Sequence, residues 1–491
     1  MSNFEKYYPR GFLFSDETLN MIPEYYKLKV ILNKYYYYYD EDQQCDMLEI
    51  DNKFIVIHGE YLHIGTDNQF TRDELKRELL QCFFNDYNQY LETLDFIAGR
   101  YVIIIGDIDN INIYPDASNT RSTYYTTSQN VISSHVYLIN DQFRYERMPY
   151  LGDLPNLMNG LNITPFKNIK SLIPNHYLEF YSKNIKRFFP RENNKYSFLT
   201  EDERFNLLER FFKKQFEYYI ENYSNIIFSL TGGGDSRFLL AVLHDYLDHI
   251  ESFTYSTMDG IDNSTYAGRL LTLDYQIVKQ IVSDININHK FIYYKDNKLP
   301  LTPKEDALLT KNTIGRHSSF LIPHTKNNFN ITNLKHIRGN LLETGKARYY
   351  SKQYKESNIE EVKPIYNDKY AKSKNKQAEK YAKEIFNKFI IDINYGENIY
   401  DYHLLDLYHW EIRMGRWHPE ILNTHDIVFD TISPFNQRAI IDISLSFTYE
   451  QRRDEYMYKE IINRNFPILN FYGDNTVLNI YEQHRNSKYK S

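Results

Sequence analysis

The 491-residue chain holds only two cysteines, Cys45 and Cys82. Two thiols build neither a disulfide framework nor a four-cysteine zinc site. Glycine (18) and proline (15) are sparse, which excludes fibrous and low-complexity architectures. Long apolar runs are missing: Tyr101–Ile105, the most apolar stretch, falls far short of the ~20 residues of a membrane span. There is no basic excess either. Lys and Arg total 58 against 65 Asp and Glu, a net charge of −7. That balance argues against a general nucleic-acid binder, because neutralising phosphates takes surplus cations. Glu5 and Arg10 interrupt the opening MSNFEKYYPRGFLF, so no signal peptide is expected and the cytoplasm is the expected location.

Aromatic residues are plentiful instead, with 47 Tyr and 31 Phe. The run Tyr35–Tyr39 reads as a half-buried strand, since aromatic rings suit a pleated surface. The first ~195 residues are strand-like throughout, with runs such as Lys53–Gly65 and Gly99–Asp116 punctuated by Gly, Asp and Asn. A helix is predicted over Thr71–Phe84, capped by Thr71. Pro190–Ser197 reads as a polar linker, which divides the chain into 1–195 and 196–491.

The rhythm then changes. Thr200 and Glu203 form a capping box, and Phe205, Leu208, Phe212, Phe216 and Tyr219 make one apolar helical face. Strands Ile226–Leu230, Ser252–Ser256 and His289–Tyr294 alternate with helical stretches, the pitch of a parallel sheet covered on both faces. From about Ala307 the pattern turns mainly helical. The Lys-rich stretch 366–389 reads as a solvated face. Trp410 and Trp417, seven apart, fall on one helical face and read as core. His409, His418 and His425 lack metal-ligand spacing, and no transition-metal site is expected.

The stretch richest in chemistry is Ser229-Leu230-Thr231-Gly232-Gly233-Gly234-Asp235-Ser236-Arg237, between a buried strand and a helix. Ligands of open α/β sheets sit beyond the carboxyl ends of strands, where a helix start offers unpaired N–H groups. Three glycines let the backbone approach an oxyanion, and Thr231 and Ser236 add hydroxyls. Asp235 would repel a phosphate unless a cation lay between, which implies Mg²⁺. Neither GxxxxGK[ST] nor GxGxxG fits. The plainer alternative is a glycine-rich turn with Asp235 as a helix cap.

TGGGDS resembles the S-G-G-x-D-S pyrophosphate loop of the asparagine synthetase-like ATP pyrophosphatases, with Thr231 replacing the first serine. Further segments follow the family's order: Asp274–His289, Arg338–Glu343 (its G-x-G-x-D-E turn), Tyr349-Tyr350, Ser433–Asn436 and Tyr458–Ile462 (its late K-x-[IL]-[LI] helix). Leu94–Thr126 and Phe166–Leu178 are similar to its amidotransferase half. The resemblance implies an α+β N-terminal domain, a degenerate Ntn-hydrolase-like β-sandwich with helices. An α/β domain with a parallel sheet and a helical C-terminal extension would follow. It also implies cleavage of ATP to AMP and pyrophosphate, with an acyl-adenylate captured by an amine or ammonia. Ser229 to Arg237 and Gly339 would hold the nucleotide, Asp235 would bind Mg²⁺, and Lys459 and Glu343 would be catalytic.

Departures narrow this. Ser2 stands where glutamine-using members carry cysteine, and a hydroxyl is a far weaker nucleophile at neutral pH, so no glutaminase activity is expected. Leu342 replaces an expected aspartate and Ile432 an arginine, which leaves the second metal ligand and substrate selection open. The expected partners are a small-molecule or peptide carboxylate and an amine or ammonia, with no nucleic acid or membrane. Oligomeric state is open. Two alternatives stand beside the ligase: a catalytically degenerate nucleotide-binding or scaffold protein, and tRNA thiolation. The latter is disfavoured because both cysteines precede the loop and the net charge is negative.

Overall fold

The computed structural model describes residues 6–65, 70–256, 264–294, 298–349, 356–474 and 477–479. Ser2, with the expectation attached to it, and Tyr350 lie outside the described residues. The described residues form two large antiparallel sheets, one parallel sheet and a two-stranded antiparallel ribbon, Tyr472–Asp474 with Val477–Asn479.

The two antiparallel sheets have six strands each. One carries Phe12–Ser15, Lys27–Ile31 and Tyr35–Tyr39; the other centres on Lys53–His63 and Ile97–Asp107. They share a core in which Phe12, Phe14, Tyr35 and Tyr37 meet Phe54, Val56, Val102 and Ile104, so the pair is a sandwich. The tyrosine strand shows why five identical residues suit one segment. Tyr35 and Tyr37 point into the sandwich, whereas Tyr38 points outward against the helix Val136–Phe143. Both faces are covered, so no polar alternation is required. The helix Arg72–Asn85, with the complete Thr71/Glu74 capping box, packs with Tyr87–Asp95 on the outer face of the second sheet.

The stretch 190–197 is no loose tether. Asn194 donates to Asp442 Oδ1 at 2.8 Å, and Tyr196 joins the core beneath the parallel sheet. Glu192, Asn193, Lys195 and Ser197 face solvent, while buried Asn194 and Tyr196 pin the stretch in place. Helix Glu201–Asn222 follows, starting at the expected Thr200/Glu203 box.

The parallel sheet runs in the order His289–Tyr293, Glu251–Ser256, Ile226–Ser229, Lys335–Ile337, Asp430–Ile432. Its last two strands are three residues each and lie inside the stretch expected to be helical. Segments so short show no periodicity; pairing with Ile226–Phe228 is what makes Lys335–Ile337 a strand. From Ile226–Ser229 the chain winds outward to one side, then returns to fill the other. The switch point of the sheet therefore lies between Ile226–Ser229 and Lys335–Ile337.

Farther along, His409–Met414 is a π-helical turn between α-helical segments. It shifts the helical phase, so Trp410 and Trp417 do not share a face. Trp410 is buried with its Nε1 donating to Ala117 O at 2.9 Å, whereas Trp417 lies only partly buried against another core, under Arg413. The Lys-rich helix Lys376–Asp392 turns its lysines outward and Ala378, Ala382, Phe386 and Phe389 inward, as expected. Among the described residues no helix is long and apolar enough to cross a membrane.

The sandwich and the parallel sheet meet through a buried charge network. Arg100 donates to both carboxylate oxygens of Asp426, at 2.5 and 2.7 Å, and reaches Asp430 at 3.5 Å. Arg121 approaches Asp426 at 3.5 Å, and Lys335 pairs with Asp430 at 2.7 Å. Burial alone would raise the Asp430 carboxyl, but Lys335, Arg10, Arg100 and Arg121 outweigh it and hold it well below the carboxylate range. Burial and the neighbouring Arg100 push Arg121 down to about 10.

Candidate active site

The loop sits at the switch point. Leu230 closes the strand, with its N–H on Phe253 O at 2.9 Å and its carbonyl taking the Thr254 hydroxyl at 2.7 Å. Its side chain is core, so Leu230 belongs to the sheet and not to a ligand surface. Ser229 likewise ends the strand, in register with Phe253.

Thr231, Gly232 and Gly233 then turn the chain into the helix Gly234–Leu243. The hydroxyls act within the loop. Ser236 Oγ accepts from Thr231 N–H at 3.0 Å, and Thr231 Oγ1 accepts from Gly233 N–H at 3.2 Å. Gly233 stands at the helix cap with no side chain to bond the first turn. The N–H groups of Gly234, Asp235 and Ser236 therefore find no acceptor among the described residues. Three parallel donors at the positive end of a helix dipole suit an oxyanion. Thr231, Gly233, Gly234 and Asp235 are each partly open to solvent.

One donor is already taken. Gly232 N–H bonds Asp274 Oδ1 at 2.8 Å, from the helix Tyr266–Asp284. Burial pushes the Asp274 carboxyl up to about 6, against the opposing pull of the Gly232 bond and Arg237. The chain thus lays its own carboxylate where the loop would receive a phosphate oxygen.

Arg237 turns away: its guanidinium donates to Leu469 O at 3.4 Å and Tyr472 O at 3.3 Å. Gly339 backs the loop. A Cβ there would stand 3.0 Å from Asp235 O, so a side chain would push against the first helical turn. Its part is close backbone approach.

Around Asp235 the structure gathers groups from three segments. Lys346 Nζ lies 3.1 Å from Asp235 Oδ1 and 3.5 Å from Glu455 Oε1, and stands 4.0 Å over the Tyr458 ring. Glu343 is anchored by Leu341 N–H at 2.6 Å and Asn340 Nδ2 at 3.1 Å. Burial and then the Asp235 charge raise its carboxyl. Burial would lower Lys346, but Asp235, Glu455 and Glu343 outweigh it and its ammonium is held charged. Leu341, with φ at 93°, enters the turn Leu342–Lys346 in a conformation that costs a non-glycine residue about 1–3 kcal/mol.

Lys459 is not brought to this cluster. It is exposed, with Nζ on Asp454 O at 2.8 Å, and Tyr458 holds the inward position one residue earlier. Lys346 went unnoticed in the sequence because nothing local marks it. The outward facing of Lys459 was readable, since Met457, Tyr458, Ile461 and Ile462 form the buried stripe of that helix.

The cluster fits Mg²⁺. Asp235 Oδ1 has the Lys346 ammonium 3.1 Å away, and Asp235, Glu455 and Glu343 set three carboxylates around that one ammonium, an excess of negative charge. Among the described residues no three His, Cys, Asp or Glu side chains form a ready metal cage. Magnesium does not need one, since it is commonly held by one or two carboxylates plus substrate phosphates.

No protein-family model matches the chain, nor does any curated protein. Solved structures similar to parts of it include NMN synthetase from Francisella tularensis, at 15% identity, 31% of this chain, 60% of that one and a TM-score of 0.18. Another is the U34-tRNA thiolase of Methanococcus maripaludis, at 12% identity, with 55% and 76% of the two chains covered and a TM-score of 0.23. A third is the glutamine phosphoribosylpyrophosphate amidotransferase of B. subtilis, at 10% identity, 69% and 71% coverage and a TM-score of 0.22. The chain spans 60% of the length of the NMN synthetase it matches. At these scores none places it in a family.

Proposed function

We propose that this chain is an ATP-dependent, AMP- and pyrophosphate-forming carboxylate–amine ligase of the asparagine synthetase-like pyrophosphate-loop kind. The observation that carries the reading is the loop at the switch point. Its three open N–H groups stand beside Asp235, one of three carboxylates that share a single ammonium, Lys346.

In this reading the N–H groups of Gly234, Asp235 and Ser236 receive the β- and γ-phosphate oxygens. Asp235, with Glu343 beside it, would hold Mg²⁺, which supplies positive charge against the triphosphate. A substrate carboxylate oxygen attacks the α-phosphorus. The bond from that phosphorus to the bridging oxygen breaks, and its electron pair leaves with pyrophosphate. Charge grows on the departing group, which is where the helix donors point. An amine or ammonia then displaces AMP, and Glu343, whose carboxyl is raised by burial and the Asp235 charge, would take the amine proton.

The sandwich fits a degenerate amidotransferase domain that no longer supplies ammonia. Burial pushes the Cys45 thiol up to about 12, and burial with Glu78 pushes Cys82 up to about 11. Neither is a thiolate near pH 7, so neither replaces the cysteine missing at position 2.

Pyrophosphate release and ATP–pyrophosphate exchange against a panel of carboxylic acids test the reading. Mg²⁺-dependent exchange with at least one acid is the expected pattern, with amide product formed from an amine or ammonia and none from glutamine. Absence of MgATP binding by calorimetry would sink the ligase and favour a scaffold.

Asp274 makes a separate prediction. Its folded pKa is raised, so its contribution to stability is whole below the unfolded value of about 3.9 and is lost as pH rises through about 6. The charged form also competes with phosphate for Gly232 N–H. MgATP affinity is therefore expected to fall several-fold as pH rises from 5 to 7, with Asp274→Asn flattening the profile. Calorimetry across that range decides, and an equally steep profile in the variant would refute it.

A further inference from the structure

We propose that Lys346, rather than Lys459, is the catalytic cation that meets the departing diphosphate. The inference rests on the ATP-cleaving reading above.

Three independent features support it. The first is electrostatic placement. Lys346 Nζ would lie only 3.5 Å from a Cβ at Gly234, so the ammonium sits at the N-terminal end of the loop helix. Cations are favoured at helix C-termini and disfavoured at the positive end. Here the helix dipole opposes the lysine, and only Asp235, Glu455 and Glu343 keep it in place. A dianionic or trianionic phosphate group entering the same space would be held by dipole and ammonium together.

The second feature is how firmly the lysine is presented. Its turn begins at Leu341, with φ at 93°, and ends at Ala347, with φ at 47°. Gly345 lies against Ser444 so closely that a Cβ would stand 2.7 Å from the hydroxyl. The Lys346 side chain is 8% exposed and rests on the Tyr458 ring. Strained backbone and a packed stem hold one point charge at one place, as orientation of a reacting group requires.

The third is the vacancy left by Lys459. Tyr458, buried, takes the inward position on its helix, and Lys459 Nζ is bound to Asp454 O outside. Glycine at 234 leaves open the space beside Lys346 Nζ that a side chain would crowd.

When the bond between the α-phosphorus and the bridging oxygen breaks, the electron pair passes to the pyrophosphate oxygen. Lys346 neutralises that charge without giving up its proton.

The test uses the full chain with three probes: MgATP, inorganic pyrophosphate with Mg²⁺, and AMP. Lys346→Gln is expected to weaken pyrophosphate at least tenfold by calorimetry and leave AMP within twofold, with Lys346→Arg largely restoring the affinity. Lys459→Gln should match the wild type on all three. Lys346→Gln leaves carboxylates unpaired and could unfold, so Lys346→Gln/Glu455→Gln is measured beside it. That double variant restores the charge balance, and pyrophosphate affinity should stay low; recovery would make Lys346 merely structural and overturn the proposal. Pyrophosphate affinity that is unchanged in Lys346→Gln but lost in Lys459→Gln would overturn it too, leaving the ligase reading intact. If the wild type binds no MgATP, the ligase reading fails first and takes this inference with it.

Discussion

Asp235→Asn should lower pyrophosphate formation by about 10²–10³-fold, the scale on which one preorganised charge-stabilising group contributes to a transition state. The fold should hardly notice. Asp235 is 25% exposed, and Lys346 keeps Glu455 and Glu343 as counter-charges. Comparing melting curves with turnover separates the two readings of this residue. As a mere helix-start acid it would contribute about 0.3–1 kcal/mol to stability and nothing to turnover. Full activity in a slightly less stable variant would therefore return the loop to an ordinary glycine-rich turn.

The second large effect lies far from the loop. Asp426→Leu should destabilise the protein by about 3–5 kcal/mol, because it takes the bidentate partner from Arg100, leaving it only Asp430 at 3.5 Å, and the ion pair from Arg121 beside it. Arg100→Met alone should cost a similar amount by leaving Asp426 short of its bidentate partner. The double variant Arg100→Met/Asp426→Leu should recover much of the loss, since an apolar pair of similar volume tolerates burial better than one unpaired ion. Urea unfolding of the four proteins closes the cycle. Strictly additive losses would mean the network does not hold the sandwich to the parallel sheet as a unit. Acid should release it late: the Asp430 pKa is depressed, so its contribution is whole above about 3.9 and is lost only as pH falls through its lower folded value.

The loop could be read from the chain alone because each of its signals is local. A short apolar strand, three glycines and an acid at a helix start occupy ten consecutive residues, 226–235. The cap at Thr71, the capping box at Thr200 and the lysine-rich face were legible for the same reason: spacing along one helix is enough to define them. So was the outward turn of Lys459, had the apolar stripe of its own helix been weighed above family register. Neighbouring positions on a helix differ by about 100° in direction, and packing of Met457, Tyr458, Ile461 and Ile462 chooses which one faces in.

Sequence by itself determined the parallel-sheet rhythm and the turn that ends at Asp235, since these depend on neighbours or on residue type. Tertiary structure decided the rest. Strands Lys335–Ile337 and Asp430–Ile432 exist only through their pairing. Asp274 reaches Gly232, and Lys346 reaches Asp235, across folds of the chain that no local pattern encodes. Charges distant in sequence were brought together because the winding of the sheet leaves its switch point between the two strands whose following loops carry them.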